Sequence, residues 1–348
     1  MAFIVPHISP LGRPDLSAAL SKKLDQKTKP LGSLGRIEAL AHQLGMVLGT
    51  ETPVLQAPQV LVCAADHGLA AHGISAYPSD VTWQMVDNFL GGGAAVSVLA
   101  RQHGLALTVV DCGVRHDFAP RDGLIIAKPA SGTADALLGP AMTAEQCQQA
   151  LANGAAIVGK LPGNMLLLGE MGIGNTSAAS MLLARLTGMD IATCVGAGTG
   201  LDALGVARKL EVLRAVLAVH HKALTPLEAL TAFGGFEIAT LVGGVLQAAS
   251  ENRVIVVDGF ITGAAVLVAH ALHPAVLERC VFAHRSAEQA HVRMLAYLGQ
   301  VPLVDLELRL GEGSGAALVF PLLQSACLIL SEMASFASAG VSQRSGEA

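Results

Sequence analysis

The chain has 348 residues, 52% of them hydrophobic and only 14% charged, a balance that excludes an intrinsically disordered protein. Its 22 basic and 27 acidic residues give a net charge of −5, which argues against a surface built to neutralise the phosphates of a nucleic acid. The length allows one large domain or two ordinary ones.

The first residues, MAFIVPHISPLGRPDL, have no basic region before their short apolar run and do not read as a secretory signal. Residues 12–50 carry two polar helical segments split by Lys29-Pro30-Leu31-Gly32. A repeated unit then begins: a wholly apolar run, an acid, a glycine and a helical stretch. VLVCAAD ends at Asp66, LALTVVD at Asp111, MLLLGE at Glu170 and VIVVD at Asp258. Continuous apolar runs of this kind predict strands buried on both faces, and their alternation with helices predicts right-handed crossovers in a parallel sheet. Capping boxes are expected at Thr143-x-x-Gln146, Thr225-x-x-Glu228 and Ser286-x-x-Gln289.

Residues 315–340 read as one long Ala-rich helix, with a frayed tail beyond Gly340. The windows 254–272 and 313–331 approach membrane-spanning length, but Asp258 interrupts the first and Pro321 and Gln324 the second, so both are expected to be buried. The six cysteines have no CxxC spacing and predict reduced, buried thiols and a cytoplasmic location. The expected architecture is α/β: a doubly wound, mainly parallel sheet over 50–312, with a small helical domain from 1–49 and 313–348.

In such sheets the ligand crevice lies at the carboxyl ends of the strands. Four acids at four strand ends are therefore expected to converge on one cleft; the alternative is that each merely caps the helix that follows. Gly169-Glu170-Met171-Gly172-Ile173-Gly174-Asn175-Thr176-Ser177, between a strand and a helix, predicts a phosphate cradle. Gly172 and Gly174 would free backbone amides, and Asn175 and Thr176 would add donors at a helix N-terminus. It matches neither GxxxxGK[ST] nor GxGxxG. Residues 194–202 contain GAGTG, where Gly198 suggests another close backbone approach, and Lys209 could offer a cation to the phosphate; a place on a solvated helix face is equally consistent with Lys209.

Glu312 lies between Gly311 and Gly313. A carboxylate so isolated has little packing role, and in an apolar cleft its raised proton affinity suits a general base. Gln84 could orient a heterocycle and Met85 could line an apolar slot; an ordinary helical role is equally consistent with both. His67 and His72 lack a third ligand at a recognised spacing, so no metal is expected.

These segments together resemble the nicotinate-nucleotide:dimethylbenzimidazole phosphoribosyltransferases of cobalamin biosynthesis. The resemblance rests on TKPLGSLGRIEALA (28–41), AADHG (64–68), GEMGIGNTSAAS (169–180), GAGTGLD (196–202), FGGFEIATLVG (233–243), VDGFITGAAV (257–266), AHRSAEQAH (283–291) and residues 305–316, collinear from about residue 12 to 335. It implies transfer of the phosphoribosyl group of nicotinate mononucleotide to 5,6-dimethylbenzimidazole, giving α-ribazole 5′-phosphate and nicotinate. It implies Glu312 as proton acceptor, with Glu170 supporting. It places the nucleotide at Glu170, Gly172, Gly174, Asn175, Lys209, Asp258 and Ser286, and the base at Gln84 and Leu310. It also implies a homodimer, no cofactor, and no nucleic-acid or membrane partner.

Two other readings remain at the level of sequence. A dinucleotide-dependent oxidoreductase would need an intact GxGxxG, and a non-catalytic nucleotide sensor would leave Glu312 unexplained. Pyridinium ribosides already carry an activated leaving group, and only one acid, Asp258, follows the VIVV strand. Activity is therefore expected to survive EDTA; a strict Mg²⁺ requirement, restored by adding the ion back, would overturn this.

Overall fold

The apolar runs become neighbouring strands of one sheet in a computed structural model of the chain that describes residues 3–198 and 200–342. The strands are β1 (Gln59–Ala65), β2 (Ala106–Gly113), β3 (Leu124–Ile126), β4 (Met165–Met171), β5 (Val254–Val257) and β6 (Cys280–Phe282). They are ordered β3-β2-β1-β4-β5-β6 and every pair is parallel. Strand order reverses between β1 and β4, which opens a crevice at their carboxyl ends.

Before β1 come α1 (Pro14–Asp25) and α2 (Arg36–Leu48). Between β1 and β2 lie α3 (Asp80–Leu90) and α4 (Ala95–His103), and α5 (Ala144–Val158) precedes β4. The β4–β5 crossover holds α6 (Asn175–Thr187), α7 (Ile191–Cys194), α8 (Ala203–Val219), α9 (Pro226–Phe233) and α10 (Phe236–Ser250). The remaining helices are α11 (Phe260–Leu272), α12 (Gln289–Leu298), α13 (Ser314–Glu332) and α14 (Phe336–Ala339).

Side chains alternate along the strands between two apolar layers. Leu61, Cys63, Leu166, Leu168, Ile255 and Val257 face α5, α6, α10 and α11. Val60, Val62, Met165, Leu167, Val254 and Val256 face α2, α4 and α13. The crossing of α5 and α10 depends on small residues: a Cβ added to Gly154 would collide with the Thr240 carbonyl, and one on Gly243 with that of Leu151. Gly154→Ala is expected to lower stability by about 1–3 kcal/mol, because backbone on both sides must move. A urea midpoint indistinguishable from that of the unaltered chain would contradict this close approach.

The boxes at Thr143/Gln146 and Thr225/Glu228 form as the spacing predicts. The third does not. Glu288 stands at the N-cap of α12, and the Ser286 N–H instead donates to His291 Nδ1 at 3.0 Å, which holds 286–288 as a loop. The long C-terminal helix is also corrected: α13 ends at Glu332 and α14 is separate. Between them Ala334 accepts from the Thr28 N–H at 3.0 Å and Ser335 bridges to Lys27, so the N-terminal segment captures the break.

The two terminal segments thus meet, and the apolar cluster of α1, α2 and α13 continues onto one face of the sheet. Their ends, 1–2 and 343–348, lie outside the described residues. Helix α13 is long and apolar enough to cross a membrane, but Ala316, Ala317, Val319, Phe320 and Leu323 are buried in that cluster.

Candidate active site

The turn from β4 into α6 supplies the first wall of the site. Gly172 passes so close to β1 that an added Cβ would lie 2.6 Å from the Ala65 carbonyl oxygen. Gly174 precedes α6 with φ +94°, a left-handed conformation that side chains disfavour. At this entry the Asn175 N–H donates to the Gly172 carbonyl at 3.1 Å and the Ser177 N–H to that of Gly174 at 3.0 Å, and the N-terminal end of α6 lies beside the cavity.

Three separated segments meet here. Lys209 of α8 is only 1% exposed and donates from Nζ to Thr176 Oγ1 at 2.8 Å. Burial lowers its pKa to about 8, against the charge of Glu288. A Cβ on Gly198 would lie 3.3 Å from Thr176 Oγ1 and 3.8 Å from Lys209 Nζ, so the GAGTG segment closes over the pair. Thr199 of that segment lies outside the described residues. Glu170, Gly172, Asn175, Thr176 and Gly198 line one narrow cavity with Gly259, Phe260, His284, Ser286, Glu288, Arg309, Leu310 and Gly311. A wider cavity of about 1040 Å³ at the helical end, beside Lys29, Pro30 and Phe336, contains none of these groups.

Three carboxyl groups in this region are shifted toward their neutral forms, Glu170, Glu312 and, by burial, Asp258. Burial pushes Glu170 up to about 8; the Asn175 amide, 2.5 Å away, opposes this, and the charges of Asp258 and Glu237 add to it. Burial likewise raises Glu312 to about 7, opposed by the Val96 N–H at the start of α4 and reinforced by Asp258. Glu312 stands one residue beyond the cavity wall formed by Leu310 and Gly311, 6% exposed, with φ +67° between two glycines at +85° and +86°. Such a conformation in a non-glycine residue persists only where its surroundings impose it, and it clusters at functional sites. Its Oε2 is buried and has no hydrogen-bond partner among the described residues.

The four acids do not converge as expected. Asp66 accepts from the Arg115 N–H at 2.8 Å, and Asp111 from those of Gly113 and Val114 at 3.1 and 2.8 Å; both anchor loops away from the cavity. Asp258 accepts from the N–H groups of Gly313 at 3.3 Å and Ala316 at 2.9 Å. It therefore fixes the first turn of α13 and the Glu312 loop, and its neighbour Gly259 lines the cavity in its place.

Gly174 borders a separate small cavity with His67, Leu69 and Phe233, so its conformation shapes the α6 entry without forming the main cavity wall. Gln84 is exposed on α3, Met85 packs half-buried against the α2–α4–α13 layer, and neither lines the cavity. Sequence reasoning missed Thr82, whose Oγ1 accepts from the Ile173 N–H at 3.2 Å and ties α3 to the β4–α6 turn. It also missed His284, Glu288 and Arg309 as cavity walls, and the buried His67–Glu237 pair at 2.6 Å behind Gly172. None of these has a local spacing signal, because each depends on tertiary packing.

Comparison with known proteins agrees with this architecture. The chain matches the DBI_PRT phosphoribosyltransferase family over residues 10–341. It is 69% identical over 340 residues to the nicotinate-nucleotide–dimethylbenzimidazole phosphoribosyltransferase of Variovorax paradoxus (strain S110), covering 98% of this chain and 97% of the relative. It is 55% identical over 346 residues to the enzyme of the same name from Dechloromonas aromatica (strain RCB), covering 97% and 99%. The crystal structure of the nicotinate-nucleotide-dimethylbenzimidazole phosphoribosyltransferase from Thermus thermophilus superposes with a TM-score of 0.91 at 39% identity, covering 95% of this chain and 99% of that one. On the sheet order, the cavity at the carboxyl ends of β4, β5 and β6, and these matches, the chain belongs to the nicotinate-nucleotide–dimethylbenzimidazole phosphoribosyltransferase family.

Proposed function

We propose that this enzyme transfers the phosphoribosyl group of nicotinate mononucleotide to 5,6-dimethylbenzimidazole, releasing nicotinate and forming α-ribazole 5′-phosphate. The observation that carries the reading is the buried Glu312 Oε2, which has no hydrogen-bond partner among the described residues, on a loop fixed at both ends. Asp258 holds the Gly313 and Ala316 amides behind it, and the Glu312 N–H donates to Glu170 beside it.

The chemistry divides among the walls. The α6 entry, Thr176 and Lys209 hold the 5′-phosphate, where amide dipoles and a desolvated ammonium favour an anion. Ser286 and the Gly259 backbone flank the ribose. The azole nitrogen attacks C1′ as the bond to the pyridinium breaks, and the bonding pair leaves with nicotinate. Glu312 takes the proton from the other azole nitrogen. A carboxylate with a pKa of about 7 is well matched to that transfer near neutral pH. Glu170, kept largely protonated, adds no negative charge beside the incoming nucleotide.

Only the deprotonated Glu312 accepts a proton. Turnover is therefore expected to rise with pH through about 7 and to level above it. An acid limb that persists unchanged in Glu312→Gln would belong to another group.

A cytoplasmic location fits the six free, buried cysteines, and a homodimer fits the family resemblance. Incubation with nicotinate mononucleotide and dimethylbenzimidazole tests the reading. Stoichiometric nicotinate and α-ribazole 5′-phosphate are expected; nucleotide consumption with no base-containing product would overturn it.

A further inference from the structure

We propose that Arg309 reads the ring carboxylate of the nucleotide and so makes the site prefer a nicotinate nucleotide to its carboxamide counterpart. The inference rests on the function proposed above. That substrate carries negative charge at two ends, the 5′-phosphate and the carboxylate on the pyridinium ring, with the ribose between them.

The cavity has cations in two corresponding places. Lys209 stands behind Thr176 and Gly198 at the α6 entry. Arg309 lies on a different wall, in the loop that leads through Leu310 and Gly311 to Glu312, beside the reacting end. The loop is anchored on both sides of Arg309: the Leu308 carbonyl accepts from the Ala287 N–H at 2.9 Å, and Gly311 backs onto the Glu170 carboxyl group.

Among the described residues Arg309 forms no ion pair, whereas Arg285 on the adjoining loop is paired with Asp305. The other ionisable cavity walls are Glu170 and Glu288, which do not attract a carboxylate, and His284, whose Nε2 lies 3.8 Å from the Asp258 carboxyl group. A guanidinium presents two parallel donors that match a carboxylate. A carboxamide offers one acceptor and turns an N–H₂ group toward the same donors.

The pairing also strengthens as the reaction proceeds. The ring begins as a pyridinium whose positive charge offsets its carboxylate. When the bond to C1′ breaks, the electron pair stays on the ring nitrogen and the leaving group becomes a net anion. A cation at the carboxylate therefore stabilises the departing ring more than the bound substrate, and such a difference raises turnover.

The test is calorimetric titration of nicotinate mononucleotide, nicotinamide mononucleotide and ribose 5-phosphate against the unaltered enzyme, Arg309→Gln and Arg309→Lys. Arg309 is exposed and unpaired among the described residues, so both variants should fold, with circular dichroism as the check. Arg309→Gln is expected to weaken the carboxylate nucleotide by about 10- to 100-fold and to leave the other two ligands within about twofold. Arg309→Lys should fall between, because it keeps the charge and loses the fork.

Equal weakening of all three ligands would place Arg309 on the phosphate and overturn the proposal. Unchanged nicotinate mononucleotide affinity, or an unaltered enzyme that binds acid and amide equally, would also overturn it. Failure of the unaltered enzyme to form α-ribazole 5′-phosphate would instead count against the proposed function, and these two results are read separately.

Discussion

Glu312→Gln is expected to lower turnover by about 10²-fold or more while nucleotide affinity stays nearly unchanged, because general-base catalysis typically contributes about 10²–10⁴-fold. The substitution keeps size and shape and removes only the ability to take a proton. The groups proposed to hold the nucleotide lie elsewhere, at Thr176, Lys209 and Ser286, so ground-state binding should not depend on the proton acceptor. The expected signature is a fall in kcat with the KM for nicotinate mononucleotide preserved, as for an interaction made only in the transition state. Stability is not expected to fall, since Glu312 Oε2 has no partner to lose among the described residues and its burial disfavours the charged form. Near-normal turnover in a folded Glu312→Gln enzyme would remove this residue from the mechanism.

Lys209→Met is expected to weaken nicotinate mononucleotide by about 10- to 100-fold while benzimidazole affinity changes little, on the scale of one charge-assisted hydrogen bond. Methionine keeps most of the stem that fills the space beneath Gly198 and Thr176, so the loss is of charge more than of packing. Burial disfavours the ammonium and lowers its pKa to about 8, with the charge of Glu288 opposing that shift. A bound phosphate dianion would supply the missing partner and raise the pKa again, so nucleotide binding should take up protons near pH 8. Calorimetry in buffers of different ionisation enthalpy measures both effects. Unchanged nucleotide affinity in this variant would move the phosphate away from the α6 entry.

The sheet was legible in the sequence because strands covered on both faces must be apolar throughout; β1 and β5 stop just before Asp66 and Asp258 as the runs predict, whereas β2 and β4 continue through Asp111 and Glu170. The β4–α6 turn and the Glu312 loop were legible for a local reason: glycines at 172, 174, 311 and 313 serve backbone geometry that other residues resist. What was not legible depended on partners distant in the chain. Asp66 and Asp111 look like Glu170 in sequence, but the amides of Arg115, Gly113 and Val114 turn them into loop anchors. Ser286 fits a capping box until His291 takes its N–H. Gln84 sits on the exposed side of α3, and Thr82, two residues earlier, makes the contact with the β4–α6 turn. Helix period alone could not choose between them. Arg309 and Glu288 carry no local motif and become site residues only when loops from β6 and the α13 entry close on the same cavity.

The central claim is that Glu312 removes a proton from the attacking azole. The most direct measurement compares the unaltered enzyme with Glu312→Gln on two acceptors: 5,6-dimethylbenzimidazole and its N1-methyl derivative, which has no N–H proton to surrender. With dimethylbenzimidazole the ratio of turnover rates should be about 10² or more; with the N-methyl acceptor it should collapse toward unity, since no base is needed. An equally large ratio with both acceptors would show that Glu312 acts by holding the base in place, and would contradict the proton-transfer role.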